Sequence, residues 1–275
     1  MSKPTMFELH DVCVAFGPEH ALEPTSLSLH AGTTVALMGP NGSGKTTLLR
    51  VIAELQKPSS GSLDSDPSSS IAYVGQHQHH HTWMPLTVRE VLGMGRYRTL
   101  GLFGRFRNSD RDAMHRAADR LDVTTLLERP FGELSGGQRQ RVLVASAIAN
   151  DAMCLLLDEP ITGLDLPSQQ IILDVIDSER ERGRLVILST HHLEEARHCD
   201  RVLLLNGKVI ADGPPVDVLT EANLTAAFGQ SVLRVAGTSD DGPPVIVLDD
   251  HGHGHDHAHS SGRSVVHIHD EIVPT

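Results

Sequence analysis

The chain has 275 residues, of which 39% are hydrophobic and 21% are charged, and its formal net charge is −12. That length and composition are typical of a globular protein with one large α/β domain or two small ones. The acidic balance and an aromatic content of only 3% argue against nucleic-acid binding, which relies on basic side chains at phosphates and on aromatic rings stacked against bases. We therefore expect no nucleic acid among the partners.

The three cysteines lie far apart along the chain, which argues against a disulfide framework and for a reducing compartment. The first residues contain no apolar run of the kind found in a secretory signal. No apolar stretch approaches the roughly 20 residues that span a bilayer. We expect a cytoplasmic chain that reaches a membrane only through a partner.

Short apolar runs alternate with helical patterns from the N-terminus to about residue 230. Wholly apolar runs of this length are typical of central strands in a parallel sheet, and the alternation predicts helices that cover such a sheet. The predicted strands are residues 7–16, 27–29, 33–38, 153–157, 185–188 and 202–205. Asn206-Gly207 predicts a hairpin after the last of these strands.

Residues 87–150 interrupt that alternation with a succession of helical patterns. The sequences that begin at Thr87 and Ser135 fit the capping box of a helix N-terminus, and the one at Ser109 is a weaker version. We therefore predict an α-helical subdomain inserted into the α/β core.

A complete G-x-x-x-x-G-K-[ST] motif follows the predicted strand 33–38 and precedes a helix that includes Thr47. Backbone N–H groups of such a glycine-rich loop, together with the helix N-terminus, cradle phosphate oxygens. We expect Lys45 to reach the β- and γ-phosphates of ATP and the Thr46 hydroxyl to ligate Mg²⁺. The motif consists of Gly39, Pro40, Asn41, Gly42, Ser43, Gly44, Lys45 and Thr46.

The apolar run 153–157 ends in two adjacent acids, Asp158 and Glu159. We expect Asp158 to hold Mg²⁺ and Glu159 to act as the general base on an attacking water. A solvated turn is the alternative interpretation of such a pair, and the preceding phosphate loop favours the catalytic one.

Residues 134–138, Leu-Ser-Gly-Gly-Gln, lie between these two motifs and resemble the signature sequence of ABC transporter ATPases. Gln76, residues 163–165 and His191 resemble the family's Q-loop, D-loop and switch histidine, in the family's order. The resemblance covers about residues 1–230. It implies a P-loop NTPase core with a mostly parallel sheet, an antiparallel β subdomain and an inserted α-helical subdomain.

The resemblance implies that Phe16 stacks on adenine, that Gln76 helps to hold Mg²⁺ and that His191 touches the γ-phosphate. The residues alone leave other interpretations open: Phe16 could be a core aromatic, Gln76 a solvated loop residue and His191 a helix cap. His192 stands where many relatives have Asp, so the sequence leaves open which histidine is the switch.

In the family, two ATP molecules lie between two such domains, and the signature motif of one domain faces the γ-phosphate bound to the other. The resemblance therefore implies a second ATPase subunit, in a homodimer or with a close relative. The signature residues expected to contact nucleotide are Ser135, Gly136, Gly137 and Gln138.

Residues 85–112 resemble the ATPases of zinc and manganese importers, although siderophore, haem and cobalamin importers have a similar segment. The implied partners are an integral membrane permease and an extracytoplasmic metal-binding receptor, with the chain at the cytoplasmic face of the membrane. A soluble ABC ATPase without a transport role and a metal chaperone or sensor are the rival classes.

Histidine is unusually common, with 18 copies, and eleven of them fall within 77–81 and 251–269. Residues 77–81 are expected to be a polar loop. Residues 231–275 read as an acidic, poorly ordered tail, in which alternating imidazoles could bind Zn²⁺. These candidate ligands are His251, His253, His255, His257 and His259.

Overall fold

The computed structural model describes residues 3–76, 86–97, 105–229, 232–235 and 245–248. The strands in that part of the chain are β1 (Thr5–Phe16), β2 (Glu19–His30), β3 (Thr34–Met38), β4 (Ser60–Ser65), β5 (Ile71–Val74), β6 (Cys154–Asp158), β7 (Leu185–Thr190), β8 (Arg201–Leu205), β9 (Val209–Gly213), β10 (Val232–Val235) and β11 (Val245–Leu248). The α-helices are α1 (Lys45–Ile52), α2 (Val88–Met94), α3 (Asn108–Arg120), α4 (Gly136–Ala149), α5 (Leu166–Glu181), α6 (Leu193–Arg197), α7 (Pro215–Val218) and α8 (Glu221–Phe228). None of these helices is long and apolar enough to cross a bilayer.

The central feature is a six-stranded sheet in the order β5-β6-β7-β3-β8-β9. All neighbouring pairs are parallel except β8 and β9, which form the hairpin predicted at Asn206-Gly207. The wholly apolar runs of the sequence supply the buried strands β3, β6, β7 and β8, as predicted. Because these strands are parallel, their carboxyl ends meet at one edge of the sheet, where Met38 pairs with Thr190 and Asp158 with Ser189.

The core consists of two apolar layers, one on each face of this sheet. In β3, Ala36 and Met38 belong to the layer that includes buried residues of α4 and α5, whereas Val35 and Leu37 belong to the layer with α1 and β1. Alternate residues of a strand point to opposite faces, so a strand covered on both faces is mostly apolar, and its buried polar residues lie near its ends. This requirement explains why the central strands are the clearest elements in the sequence.

A second, antiparallel sheet has the order β2-β1-β4. Only residues 27–29 of β2 were predicted as strand, and β4 was not predicted. Both strands are rich in exposed polar residues, because one face of this sheet is solvated. Two further strands, β10 and β11, pair with each other within the range assigned to the tail, and the domain boundary at residue 230 stays a prediction.

Two of the three predicted capping boxes are confirmed. The backbone N–H of Thr87 donates to Glu90 Oε2 at 2.7 Å, and Ser135 and Gln138 make the equivalent pair of bonds at the start of α4. The prediction at Ser109 is wrong, because α3 begins at Asn108 with Arg107 as its N-cap, two residues before the predicted cap. Asp110 accepts from the backbone N–H of Arg107 at 2.9 Å, but the Arg107 side chain cannot accept a bond in return, so only half of a capping box forms.

Candidate active site

The predicted phosphate loop joins the carboxyl end of β3 to α1, and two of its glycines are required by close packing. A Cβ atom on Gly39, whose φ is 156°, would lie 2.2 Å from the carbonyl oxygen of Leu205. A Cβ on Gly44, whose φ is 97°, would lie 2.6 Å from the carbonyl oxygen of Ala21. Both values are far below normal contact distances, so this backbone path is open to glycine alone.

The loop has the chemistry of an anion cradle. Lys45 is buried, and its Nζ donates to the carbonyl oxygens of Gly39 and Pro40 at 2.7 and 2.9 Å. Gly44 caps α1 without a side-chain hydrogen bond, so the first N–H groups of the helix face the loop. Among the described residues, Ser43 Oγ is buried without a hydrogen-bond partner. A fixed ammonium, helix N–H groups and this hydroxyl fit the phosphates of a nucleotide.

Asp158 is almost completely buried and is surrounded by hydroxyl groups. Thr46 Oγ1 donates to Asp158 Oδ1 at 3.1 Å, and Ser189 Oγ donates to the same oxygen at 2.6 Å. The Tyr73 hydroxyl lies 3.4 Å from Asp158 Oδ2. Burial, followed by the charge of Asp158, raises the pKa of Tyr73, so this hydroxyl keeps its proton at neutral pH. A carboxylate beside a threonine hydroxyl is a donor set that fits Mg²⁺.

The structure brings together Glu159, Gln76 and His191, which lie far apart in the sequence. Gln76 Nε2 donates to Glu159 Oε2 at 2.9 Å, and His191 Nδ1 lies 4.0 Å from Glu159 Oε1. Glu159 adopts the left-handed conformation with a φ of 51°, which is costly for a residue with a side chain. The three groups form a polar triad at the carboxyl ends of β5, β6 and β7.

The two adjacent histidines both lie among the acidic residues of this site. His191 Nδ1 lies 4.0 Å from Glu159 Oε1, and His192 is close enough to Glu195 in α6 to lower the pKa of that carboxyl. The two imidazole centroids are 4.1 Å apart. The approach to Glu159 is consistent with the prediction that His191 is the switch histidine, which stays a prediction.

Glu195 was not predicted as part of the site. Its Oε2 is buried without a hydrogen-bond partner among the described residues, and burial raises the pKa of Glu195. The nearby charge of Glu159 acts in the same direction, while Thr190 and His192 oppose it. A glutamate in a short polar helix has no sequence signal that would distinguish it from its exposed neighbour Glu194.

The signature residues begin α4 next to the segment that leads into α5. A Cβ on Gly137 would lie 2.8 Å from Ser168 Oγ and 3.0 Å from Asp165 Oδ1, whereas a Cβ on Gly136 would meet nothing within 4 Å. Ser135 and Gly136 are exposed. The N-terminal end of α4, which is expected to face a phosphate, is therefore exposed and is not covered by other described residues at Gly136.

Phe16 is 58% exposed at the end of β1, which excludes the interpretation as a core aromatic. It pairs with Glu19 across the β1–β2 hairpin. The same hairpin continues to Ala21, whose carbonyl packs against Gly44 of the phosphate loop. Its adenine contact stays a prediction.

The histidine clusters at 77–81 and 251–269 lie outside the described residues. Within the ranges that the structure describes, no group of three His, Cys, Asp or Glu side chains is arranged to hold a metal ion.

A glycine-rich loop with a buried lysine, a buried aspartate beside the loop threonine and a glutamate on the next residue define a P-loop nucleotide hydrolase. The ABC transporter family profile matches residues 22–162. The chain belongs to the ABC transporter family, and it is an ATPase of that family.

Relatives align with most of the chain. It is 37% identical over 258 residues to the chelated iron transport system membrane protein YfeB of Yersinia pestis, with 87% of each chain covered. It is 39% identical over 229 residues to the zinc import ATP-binding protein ZnuC of Yersinia enterocolitica, with 82% of this chain and 86% of that one covered. It is 32% identical over 235 residues to the manganese transport system ATP-binding protein MntB of Listeria innocua, with 83% and 98% covered.

The fold also matches solved structures. A metal-chelate type ABC transporter in an inward-facing conformation superimposes with a TM-score of 0.75 at 28% identity, covering 86% of this chain and 94% of that one. The predicted fold class is thereby confirmed: a P-loop core with a mostly parallel sheet, an antiparallel sheet and added helices.

Proposed function

We propose that the chain is the ATP-hydrolysing subunit of an importer for a divalent transition-metal ion, zinc or manganese. The observation that carries this proposal is the identity of 39% and 32% to ATP-binding proteins of zinc and manganese transport over more than four fifths of the chain. A chelated metal is the second candidate, because YfeB and the solved transporter are named for chelates.

The proposed nucleotide site follows from the chemistry of the loop. Lys45 would neutralise charge on the β- and γ-phosphates of ATP, and the backbone N–H groups of residues 41–47 would donate hydrogen bonds to the phosphate oxygens. Thr46, Asp158 and Gln76 would hold Mg²⁺, which supplies charge neutralisation at those phosphates when bound. Phe16 would stack on the adenine ring from the hairpin beside the loop.

Hydrolysis is assigned to the triad at the carboxyl ends of the strands. Glu159 would accept a proton from the attacking water, and Gln76 holds the Glu159 carboxylate through the bond at 2.9 Å. His191 would contact the γ-phosphate and so complete its positioning.

The proposal includes a second ATPase subunit, which we take to be another copy of this chain. Ser135, Gly136, Gly137 and Gln138 begin a helix whose N–H groups would meet the γ-phosphate bound to the partner copy. A membrane permease, with an extracytoplasmic metal-binding receptor, would complete the assembly and hold the chain at the cytoplasmic face.

The substrate is tested by reconstituting the chain with its permease and receptor in liposomes. We expect ATP to drive uptake of labelled Zn²⁺ or Mn²⁺ into these liposomes. Liposomes that contain the permease without this chain should take up no cation. Each labelled ion is offered as the free cation, and labelled iron is offered in parallel as a siderophore or haem chelate at equal metal concentration. Uptake confined to chelates would replace the first candidate with the second, and ATP-independent uptake would contradict both.

We also propose that residues 231–275 form a separate metal-binding tail, through His251, His253, His255, His257 and His259. Imidazole nitrogen is a good ligand for Zn²⁺, and alternate residues of a short segment can converge on one ion. Replacing all five with Asn should reduce Zn²⁺ bound in calorimetry and leave ATPase activity unchanged. Deleting residues 237–275 should have the same two effects, and unaltered Zn²⁺ binding in both variants would refute the proposal.

A further inference from the structure

Ser189 lies at the carboxyl end of β7, fully buried, between the two acidic residues of the site. Its hydroxyl donates to Asp158 Oδ1 at 2.6 Å and accepts from the backbone N–H of Glu159 at 2.9 Å. The register of the sheet produces this arrangement, because Ser189 is the direct partner of Asp158 on the neighbouring strand. One hydroxyl therefore joins β7 to both acids.

The two bonds use the single donor of the Ser189 hydroxyl and one of its two acceptor lone pairs. A serine can donate one hydrogen bond and accept through its lone pairs, so the Asp158 carboxylate and the Glu159 N–H are satisfied by the same atom. Without that atom, the part-buried N–H group of Glu159 would lose its hydrogen-bond partner, which is unfavourable. The neighbouring apolar residues of β7 cannot supply either bond.

The bond to Glu159 falls at the strained residue of the site. The left-handed conformation is unfavourable for a residue with a side chain, and it persists only where the surroundings fix it. Ser189 fixes the backbone of Glu159, and Gln76 fixes its carboxylate. The direction in which the carboxylate points is thus set by β7 and by the loop that follows β5.

We propose that Ser189 is a positioning residue for ATP hydrolysis, acting through Glu159 and Asp158 without touching the substrate. This inference rests on the proposed roles of those two acids. Phosphate binding depends on the loop 39–46, whereas attack on the phosphate depends on the direction of the Glu159 carboxylate. Ser189 should therefore influence kcat much more strongly than the affinity for ATP.

The test compares Ser189→Ala with Ser189→Thr, which restores a hydroxyl at the same place. We expect the alanine variant to lose roughly 10–100-fold in kcat, the order of effect that small misplacements cause, with an unchanged Kd for ATP measured in the absence of divalent metal. The threonine variant should recover most of the kcat. Ser146→Ala is the matched control, since it removes a part-buried hydroxyl that donates to Val91 O at 2.9 Å in the helical region.

Two further measurements separate positioning from a general loss of stability. Mn²⁺ serves as a paramagnetic probe of the Mg²⁺ site, and its affinity with a non-hydrolysable ATP analogue should fall in Ser189→Ala and stay normal in Ser146→Ala. Thermal unfolding of all variants gives the stability. If Ser189→Ala is poorly folded, Ser189→Cys, which keeps the shape with a weak donor, takes its place in the same assays.

The outcomes also distinguish this inference from the proposed function. Parental kcat in Ser189→Ala, or an equal loss in Ser146→Ala, would overturn the role of Ser189 and leave ATP hydrolysis by Glu159 intact. Retention of hydrolysis by a Glu159→Gln variant would instead overturn the assignment on which the inference rests.

Discussion

Replacing Glu159 with Gln should leave ATP binding close to that of the parent chain and should reduce hydrolysis by roughly 10²–10⁴-fold, the range for loss of a general base. The amide has the shape of the carboxylate, and its oxygen can still accept the hydrogen bond from Gln76 Nε2. It cannot take a proton from water. The loop around Lys45, which is expected to bind the phosphates, is not altered by the substitution.

ATP affinity is measured by titration with a fluorescent nucleotide, and hydrolysis by release of inorganic phosphate at saturating ATP. Glu181→Gln is the matched control, because it makes the same chemical change at an exposed position near the end of α5. Control and parent should hydrolyse ATP at equal rates. A Glu159→Gln variant with near-normal turnover would show that another group activates the water.

The parts of this site that the sequence predicts are those encoded by neighbouring residues. The phosphate loop is a contiguous motif between a strand and a helix, and Asp158 and Glu159 directly follow an apolar run. In both cases a local pattern determines the chemistry and also its place at the carboxyl edge of the sheet. The same reasoning applies to the central strands, which must be apolar because both of their faces are covered.

The parts that it does not predict depend on pairing between distant segments. Ser189 and Tyr73 reach Asp158 because β7 and β5 lie on either side of β6. The local sequence of any one of these strands does not determine that order. The only signal for Ser189 is a polar residue near the end of an apolar strand, just before His191. β4 was missed for a related reason, since a strand with exposed polar side chains lacks the apolar alternation that marks half-buried strands.

Exposure excludes one of the two interpretations that the sequence left open at Phe16, the core aromatic, and leaves the adenine contact as a prediction. A single phenylalanine near a strand is more often a core residue, and local sequence has no means of telling where the strand ends in space. In the structure the side chain is 58% exposed on the hairpin that packs against the phosphate loop, so a contact with adenine needs no rearrangement of the core.

A buried ionic cluster ties the helical region to the core, centred on Glu179 in α5, which is 1% exposed. Arg120, the last residue of α3, contacts Glu179 Oε1 at 2.5 Å, and Arg184, just before β7, contacts the other carboxylate oxygen. Arg184 also reaches Asp151, which follows α4. Arg182 lies 3.5 Å from Glu179. A single carboxylate thus faces three guanidinium groups that come from both parts of the fold.

Replacing Glu179 with Ala should lower the free energy of unfolding by roughly 3–5 kcal/mol, the cost of breaking a buried ion pair. The reason is that the buried guanidinium of Arg184 and the partly buried one of Arg120 would lose their shared counter-charge. Urea unfolding followed by circular dichroism gives the change. Glu181→Ala, at an exposed position two residues further along α5, should alter the same quantity by about 0.5 kcal/mol or less.

Glu179→Gln separates the charge from the hydrogen bonds at this position. The amide oxygen can still accept from one arginine, so this variant should fall between the parent and Glu179→Ala in stability. The loss of unfolding free energy in Glu179→Gln should exceed the loss in Glu181→Gln, because the arginines share a carboxylate only at the buried position. The contrary outcome is a loss of unfolding free energy below about 1 kcal/mol in Glu179→Ala, which is within the range of ordinary surface and mild core substitutions. It would mean that solvent or Asp151 compensates the charge of the arginines. The cluster would then not hold the two parts of the fold together.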